Sequence, residues 1–287
     1  MRSSLFALLL IFALPFTSQA CPLIDNMPDF NCDEMLRIGV TGDSSVRGVG
    51  DPNISDDNGG YVRNLQKFFP NAEFENIGVP GATSRSLFRA YKQNAFRGRI
   101  TTQKLQDLDY LIIAVGTNDY WSKVPVTLTV RNIKRMKNFL ESFYEKTDQV
   151  VPIIVVSTLP TTKRSFQQPF INSVNALLLT KRNIRDLNVR VRMHTLGQGI
   201  ISSDNLHPSG KGYQRMAKYL SRVLLRNIKS MALNLRPDGD NDGIYDLFEE
   251  IRFFTDPTLF DTDGDGFSDG AEVFTHRTDP LDPNSRP

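Results

Sequence analysis

From Glu34 onward, short apolar runs alternate with longer stretches in which apolar residues recur every third and fourth position. The runs Leu36–Thr41, Glu73–Gly78, Tyr110–Val115, Val150–Ser157 and Val189–Met193 read as strands. Between them, Tyr61–Phe69, Ser84–Gln93, Val126–Tyr144 and Phe170–Leu187 carry the spacing of amphipathic helices, and a last helix is expected from Gly210 to Ile228. Strands that alternate with helices predict an α/β fold, a doubly wound five-stranded parallel sheet. Ligands of such folds bind beyond the carboxyl ends of the strands.

The residues that follow each strand are the ones that could carry chemistry. The first strand runs into Gly42-Asp43-Ser44, the second into Gly78-Val79-Pro80-Gly81 and the third into Gly116-Thr117-Asn118-Asp119, and Asp204-Asn205-Leu206-His207-Pro208 precedes the last helix. One cleft could collect all four. Of three histidines, His194 ends a strand-like run and His276 sits in the acidic tail, where structural roles suffice. His207 has Asp204 three residues before it, close enough for a carboxylate to orient the ring as a base. Taken singly, each feature has a plainer reading: Ser44 and Asn118 could be helix N-caps, and an Asp-x-x-His pair is weak evidence. Together they supply a nucleophile, a base, an orienting acid and oxyanion donors, with Gly81 able to offer a backbone N–H unobstructed by a side chain.

The run Gly42-Asp43-Ser44-Ser45-Val46-Arg47-Gly48-Val49-Gly50-Asp51-Pro52 resembles the first block of the SGNH (GDSL-like) hydrolases. Asn76-Ile77-Gly78-Val79-Pro80-Gly81 is similar to the second block, Gly116-Thr117-Asn118-Asp119 to the third and Asp204-x-x-His207-Pro208 to the last, in order, across Leu36 to Ile228. Ser45 departs from the apolar residue many members carry, a common variation. The resemblance implies a flavodoxin-like strand order and a serine esterase or lipase-like hydrolase acting through an acyl-enzyme. It assigns Ser44 as nucleophile, His207 as base, Asp204 as its orienter, and the Ser44 N–H, Gly81 and Asn118 as oxyanion donors, with no catalytic cofactor. Neither a Gly-x-Ser-x-Gly elbow nor a Gly-x-x-x-x-Gly-Lys-Ser/Thr loop occurs. A nucleotide-binding reading would rest on fold analogy alone, and nothing points to a specific nucleic-acid partner.

The tail carries a second pattern. Asp238, Asp240, Asp242, Asp246 and Glu249 occupy positions 1, 3, 5, 9 and 12 of a calcium loop with Gly243 at position 6, and Ile244 would lend its carbonyl at position 7. Asp261, Asp263, Asp265, Phe267, Asp269 and Glu272 repeat the set 23 residues on, with Gly266 at the turn. Thr255-Asp256-Pro257 and Thr278-Asp279-Pro280 keep the same offset. An acidic solvated tail explains neither the glycines nor the glutamates in both copies. The units resemble bacterial thrombospondin type-3-like repeats, which implies structural Ca²⁺. Apolar residues of the tail, Leu247, Phe248 and Ile251 among them, are expected to pack on one another or on the body.

Charge sharpens this division. The net charge of +2 hides a tail with fourteen Asp or Glu against four Arg from Arg236 onward, a formal −10 that leaves about +12 for the rest. A basic body would suit an anionic surface, or simply be a solvated face. Met1-Arg2, the apolar run Leu5–Phe16 and Ser18-Gln19-Ala20 have the pattern of a secretory signal cleaved after Ala20. The expected organisation is signal peptide 1–20, a lead with a cysteine pair 21–35, hydrolase domain 36–230 and calcium repeats 236–287. No later segment is apolar enough to span a membrane, so the exported protein is expected to be secreted or periplasmic. In that oxidising setting Cys21 and Cys32 are expected to pair. The alternative, a lipid on Cys21, is disfavoured by Ser18, where lipoprotein signals have Leu.

Ester hydrolysis on lipid, lysophospholipid or acetylated carbohydrate is the leading reading. The competing one is a non-catalytic, calcium-dependent surface-binding or adhesion protein on the same scaffold. The complete set Ser44, Gly81, Asn118, Asp204 and His207 favours the first.

Overall fold

The computed structural model describes residues 22–52, 59–93, 102–147, 149–234, 238–246, 249 and 253–287. The expected signal sequence, Cys21, Leu247, Phe248 and Ile251 lie outside the described residues. The chain divides into two compact units, a body over Cys21–Pro237 and a tail over Asp238–Pro287.

In the body a two-stranded antiparallel ribbon, β1 (Leu23–Ile24) and β2 (Met27–Pro28), precedes the main sheet. The sheet consists of β3 (Arg37–Gly42), β4 (Glu73–Gly78), β5 (Tyr110–Ala114), β6 (Ile153–Ser157) and β7 (Val189–Val191). All neighbours are parallel, in the order β4-β3-β5-β6-β7. Renumbered along the sheet this is the 2-1-3-4-5 order of the flavodoxin-like fold, and its switch point falls between β3 and β5.

The helices are α1 (Ser44–Arg47), α2 (Gly60–Leu65), α3 (Ser84–Gln93), α4 (Val126–Lys146), α5 (Gln168–Leu178), α6 (Lys181–Leu187), α7 (Gly210–Val223) and α8 (Lys229–Asn234). One core layer joins Ile77, Leu111, Ile113, Ile154 and Val156 of the strands to Leu87, Ile133, Leu140, Val174 and Leu187 of α3 to α6. The intervening strand residues Val40, Ile112 and Val155 are also buried and point to the opposite face, on the side where α2 and α7 pack together. The expected helix Phe170–Leu187 is two helices, because Thr180 turns extended and caps α6 by accepting from the Asn183 N–H. The last helix continues α7 through a π turn at Leu224–Ile228 into α8.

The lead is fastened to the amino ends of the strands. Asp109, fully buried, accepts the N–H groups of Phe30 (2.6 Å), Asn31 (3.0 Å) and Arg37 (2.7 Å). Asp29 accepts those of Cys32 and Glu34, and the Tyr110 hydroxyl donates to the Pro28 carbonyl at 2.7 Å. Burial pushes the Asp109 carboxyl up to about 8, opposed by the Arg37 amide and reinforced by the charge of Asp29. Cys32 is disulfide-bonded.

Candidate active site and candidate metal centre

Ser44 opens α1 immediately after β3. Asp43 caps that helix, its Oδ1 accepting from the Ser45 N–H at 3.0 Å. The Ser44 amide therefore lies in a first helical turn, where N–H groups have no acceptor within the helix. Complete burial pushes the Asp43 carboxyl up to about 6, with the Ser45 amide opposing the rise.

His207 reaches Ser44 from the loop before α7. Its Nε2 stands 3.0 Å from Ser44 Oγ and its Nδ1 2.6 Å from Asp204 Oδ2. Asp204 Oδ1 accepts three further bonds, from Ser202 Oγ at 2.7 Å and from the amides of Leu206 and His207 at 2.9 Å. Burial alone would raise this carboxyl, but these bonds outweigh it and hold Asp204 well below the ordinary carboxylate range. An ionised Asp204 can only accept, so Nδ1 carries the ring proton and Nε2 presents a lone pair to the Ser44 hydroxyl.

The loop that holds His207 is itself clamped. Ile201 and Pro208 form an antiparallel bridge. The Asn205 carbonyl accepts from Lys163 N at 3.0 Å and Thr162 Oγ1 at 2.6 Å, and Arg164 Nη2 donates to the Asp204 carbonyl at 3.4 Å. His194 lies elsewhere, its Nδ1 2.8 Å from Thr158 Oγ1.

Gly81 and Asn118 are brought together by one bond, in which Asn118 Nδ2 donates to the carbonyl of Ala82 at 3.0 Å. One amide hydrogen is thereby committed and the other remains for a ligand. Gly81 has φ +78°. A Cβ there would meet nothing within 4 Å, so its glycine answers to backbone conformation and not to crowding. The turn bearing Asn118 is anchored by buried Asp119, which accepts from Ser84 N (2.7 Å), Ser84 Oγ (2.5 Å) and Thr129 Oγ1 (3.0 Å). Asn132 completes this network through Ser84 Oγ. Beyond the turn, Tyr120, Trp121, Phe166 and Phe170 form an aromatic cluster. Trp121 and Phe166 are more than half exposed, and the Arg164 guanidinium lies over the Trp121 ring.

Asp119, Ser202, Thr162 and Asn132 were not singled out by the sequence pattern. Asp119 was visible only as the last residue of the third block, and the other three sit in segments without a motif.

In the tail, Asp238, Asp240 and Asp242 form one group of carboxylates and Asp261, Asp263 and Asp265 another, each with oxygens within 4.8 Å of one another. Gly243 and Gly266 both have φ +99°, the left-handed turn that the sixth position demands. In each loop the following amide, Ile244 or Phe267, donates to the fifth-position aspartate. Glu249 and Glu272 are fully buried. Asp246 falls outside these groups, its Oδ1 accepting from the Gly239 N–H at 2.7 Å. Asp238 Oδ1, Asp240 Oδ2 and Glu249 Oε2 are buried without a hydrogen-bond partner. Burial pushes Asp242 up to about 7 and Glu249 up to about 8, and the charge of Asp240 adds to both. Hard anionic oxygens gathered in this way fit a calcium ion, although in the second group Arg286 also pairs with Asp265 at 3.4 Å.

Comparison with known proteins agrees with this geometry. The model of the GDSL-like Lipase/Acylhydrolase family matches residues 40–215, and the chain belongs to that family. A bacterial TSP3 repeat matches residues 261–283. Among curated proteins, the uncharacterized protein YpmR of Bacillus subtilis (strain 168) is 24% identical over 221 residues, covering 67% of this chain and 82% of that protein. Among solved structures, a carbohydrate acetylesterase family member from Sinorhizobium meliloti superposes with a TM-score of 0.51 at 15% identity, over 70% of this chain and all of that one. A candidate arylesterase from Agrobacterium tumefaciens str. C58 gives 0.52 at 16% identity, over 66% and 97%. The body is thus a GDSL-family hydrolase fold with the five-stranded parallel sheet of that family, and among the described residues no helix is long and apolar enough to cross a membrane.

Proposed function

We propose that the protein is an exported serine esterase that cleaves carboxylic esters through an acyl-enzyme on Ser44. The observation that carries this is the unbroken line from Asp204 Oδ2 through His207 to Ser44 Oγ, with separations of 2.6 and 3.0 Å. Ser44 Oγ attacks the ester carbonyl carbon while His207 Nε2 takes the hydroxyl proton. The resulting oxyanion faces the amides of Ser44 and Gly81 and the free hydrogen of Asn118 Nδ2. Collapse expels the alcohol, which receives the proton from His207. Water, activated by the same ring, then releases the acid. Metal is not needed for any of these steps.

The aromatic surface of Trp121, which follows the Asn118 turn in sequence, and of Phe166, whose ring lies 5.5 Å from it, favours an ester with an apolar or ring-shaped part near the bond cleaved. Acyl lipids and acetylated sugars both meet that description, and a panel of the two ranks them. The basic body suits an anionic surface as the place of action. Calcium, where bound, is held by Asp238, Asp240, Asp242 and Glu249 and by Asp261, Asp263, Asp265 and Glu272, and it supplies counter-charge that lets the tail fold. Export rests on the N-terminal charge and apolar pattern and accords with a disulfide-bonded Cys32.

A fluorophosphonate probe tests the central claim. It is expected to label Ser44 in the wild type and to leave Ser44→Ala unlabelled and His207→Ala nearly so. Labelling of Ser44→Ala at the wild-type rate would sink the assignment.

A further inference from the structure

The two acidic loops look equivalent in sequence, but their surroundings differ. In each, the ninth-position aspartate turns back to cap its own loop: Asp246 accepts the Gly239 N–H, and Asp269 accepts the N–H and hydroxyl of Thr262 at 2.9 and 2.6 Å. Asp269 does something Asp246 does not. It lies beside Asp242 and Glu249 of the first loop, with carboxylate oxygens of all three within 4.8 Å of one another. All three side chains are buried.

The contact between the repeats is close and specific. The Gly270 N–H donates to Asp242 Oδ2 at 2.7 Å. A Cβ on Gly270 would stand 2.2 Å from the Asp242 carbonyl oxygen, so no larger residue allows this approach. Among the described residues no Lys, Arg or His is ion-paired with Asp242, Glu249 or Asp269; the one ion pair of the tail joins Arg286 to Asp265. Glu249 Oε2 is buried without a hydrogen-bond partner, and its residue is fully enclosed. Three enclosed carboxylates of one sign repel strongly in a medium of low dielectric constant unless a cation joins them.

We infer that Asp269, which sequence spacing counts with the second loop, is a ligand of the first loop's calcium ion, so that the first site is built from both repeats. Asp238, Asp240, Asp242 and Glu249 come from one repeat and Asp269 from the next. The second site, around Asp261, Asp263 and Asp265, draws on its own repeat. This inference rests on the calcium reading of the tail. It makes the pair asymmetric: the second repeat must be docked before the first can hold its ion fully.

The test uses the full-length protein, calcium titration by calorimetry, and terbium luminescence excited through tyrosine. Tyr245 directly follows Ile244 in the first loop and is the only Tyr or Trp after Asp238, so emission lost in Tyr245→Phe reports the first site. Asp269→Asn keeps an oxygen for the Thr262 amide and is expected to weaken the first site by about tenfold or more while the second stays within about twofold. Gly270→Ala removes no carboxylate and is expected to give the same selective loss. Asp246→Asn, at the equivalent place in the first repeat, is expected to change either site by less than about threefold. Circular dichroism with saturating calcium verifies that each variant is folded. If Asp269→Asn weakened only the second site, or acted no more strongly on the first than Asp246→Asn, the shared site would be overturned. A wild type that binds no calcium would overturn the calcium reading itself.

Discussion

Replacing Asp204 with asparagine alters the proton chemistry while keeping the scaffold. Oδ1 of Asp204 receives three donors, Ser202 Oγ and the amides of Leu206 and His207, whereas Oδ2 faces His207 Nδ1. The amide oxygen of the variant must stay at the Oδ1 position, and its NH₂ then falls opposite Nδ1. An N–H there can only donate, so Nδ1 becomes the acceptor and the ring proton moves to Nε2, leaving no lone pair for the Ser44 hydroxyl. Flipping the amide would forfeit three hydrogen bonds at about 1 kcal/mol each. The Asp204 side chain is 44% exposed, and halving that sum for water leaves about 1.5 kcal/mol, or roughly tenfold in the competent tautomer. Loss of the negative charge that stabilises the imidazolium adds to this, so kcat is expected to fall by about 10² to 10⁴, with KM within about twofold. Because the three scaffold bonds survive, the melting temperature should move by no more than about 2 °C. Steady-state hydrolysis of a p-nitrophenyl ester, normalised by fluorophosphonate titration, measures the first quantity and differential scanning fluorimetry the second. A folded variant with kcat within about fivefold of wild type would refute the claim that Asp204 sets the tautomer of His207.

Three further outcomes are expected. Asn118→Ala removes a donor aimed at charge that develops in the transition state, so kcat should drop by roughly 10² to 10³ with KM little changed; a change confined to KM would mean ground-state binding. Asp109 keeps its proton in the folded state to about pH 8, while the unfolded chain releases it near 3.8. Wild-type stability relative to Asp109→Asn should therefore fall as pH rises through that interval and flatten above it, and melting curves of the two proteins that stay parallel from pH 4 to pH 9 would contradict this. Chelation with EDTA should open the segment after Asn234 to protease and leave small-ester turnover intact; a tail equally resistant with and without calcium would remove the structural role of the ion.

The parts of the fold with strong periodicity were legible residue by residue. Strand Glu73–Gly78 has the boundaries its pattern implies and the helix begins at Ser84 as expected, because apolar spacing and flanking turn residues agree there. The break at Thr180 was not legible, since Leu177, Leu179 and Ile184 keep the helical spacing across it and only the threonine's capping bond ends the first helix. The geometry of Ser44, His207 and Asp204 follows from motifs at strand ends. The bond of Thr162 to Asn205 and that of Ser84 to Asp119 join residues 43 and 35 positions apart in the chain and leave no periodic trace. The positive φ of Gly81 leaves no trace in the spacing, which offers only a glycine able to present its N–H unobstructed by a side chain. Repeat spacing likewise located the acidic positions of both loops but not the crossing of Asp269 into the first loop.

The fastening of the lead to Asp109 and Tyr110 fixes where the described chain starts relative to where Ser44 sits. β3 runs from Arg37, whose amide binds Asp109, to Gly42, two residues before Ser44. Five steps of about 3.3 Å each put roughly 17 Å between the two ends. A molecule held by its N-terminal side, whether on a bead through an engineered handle or on a biological surface, would turn the mouth of the cleft away from its support. Immobilisation from that end should therefore leave large or surface-bound esters free to reach Ser44, whereas attachment near Trp121 or Phe166 would block the approach.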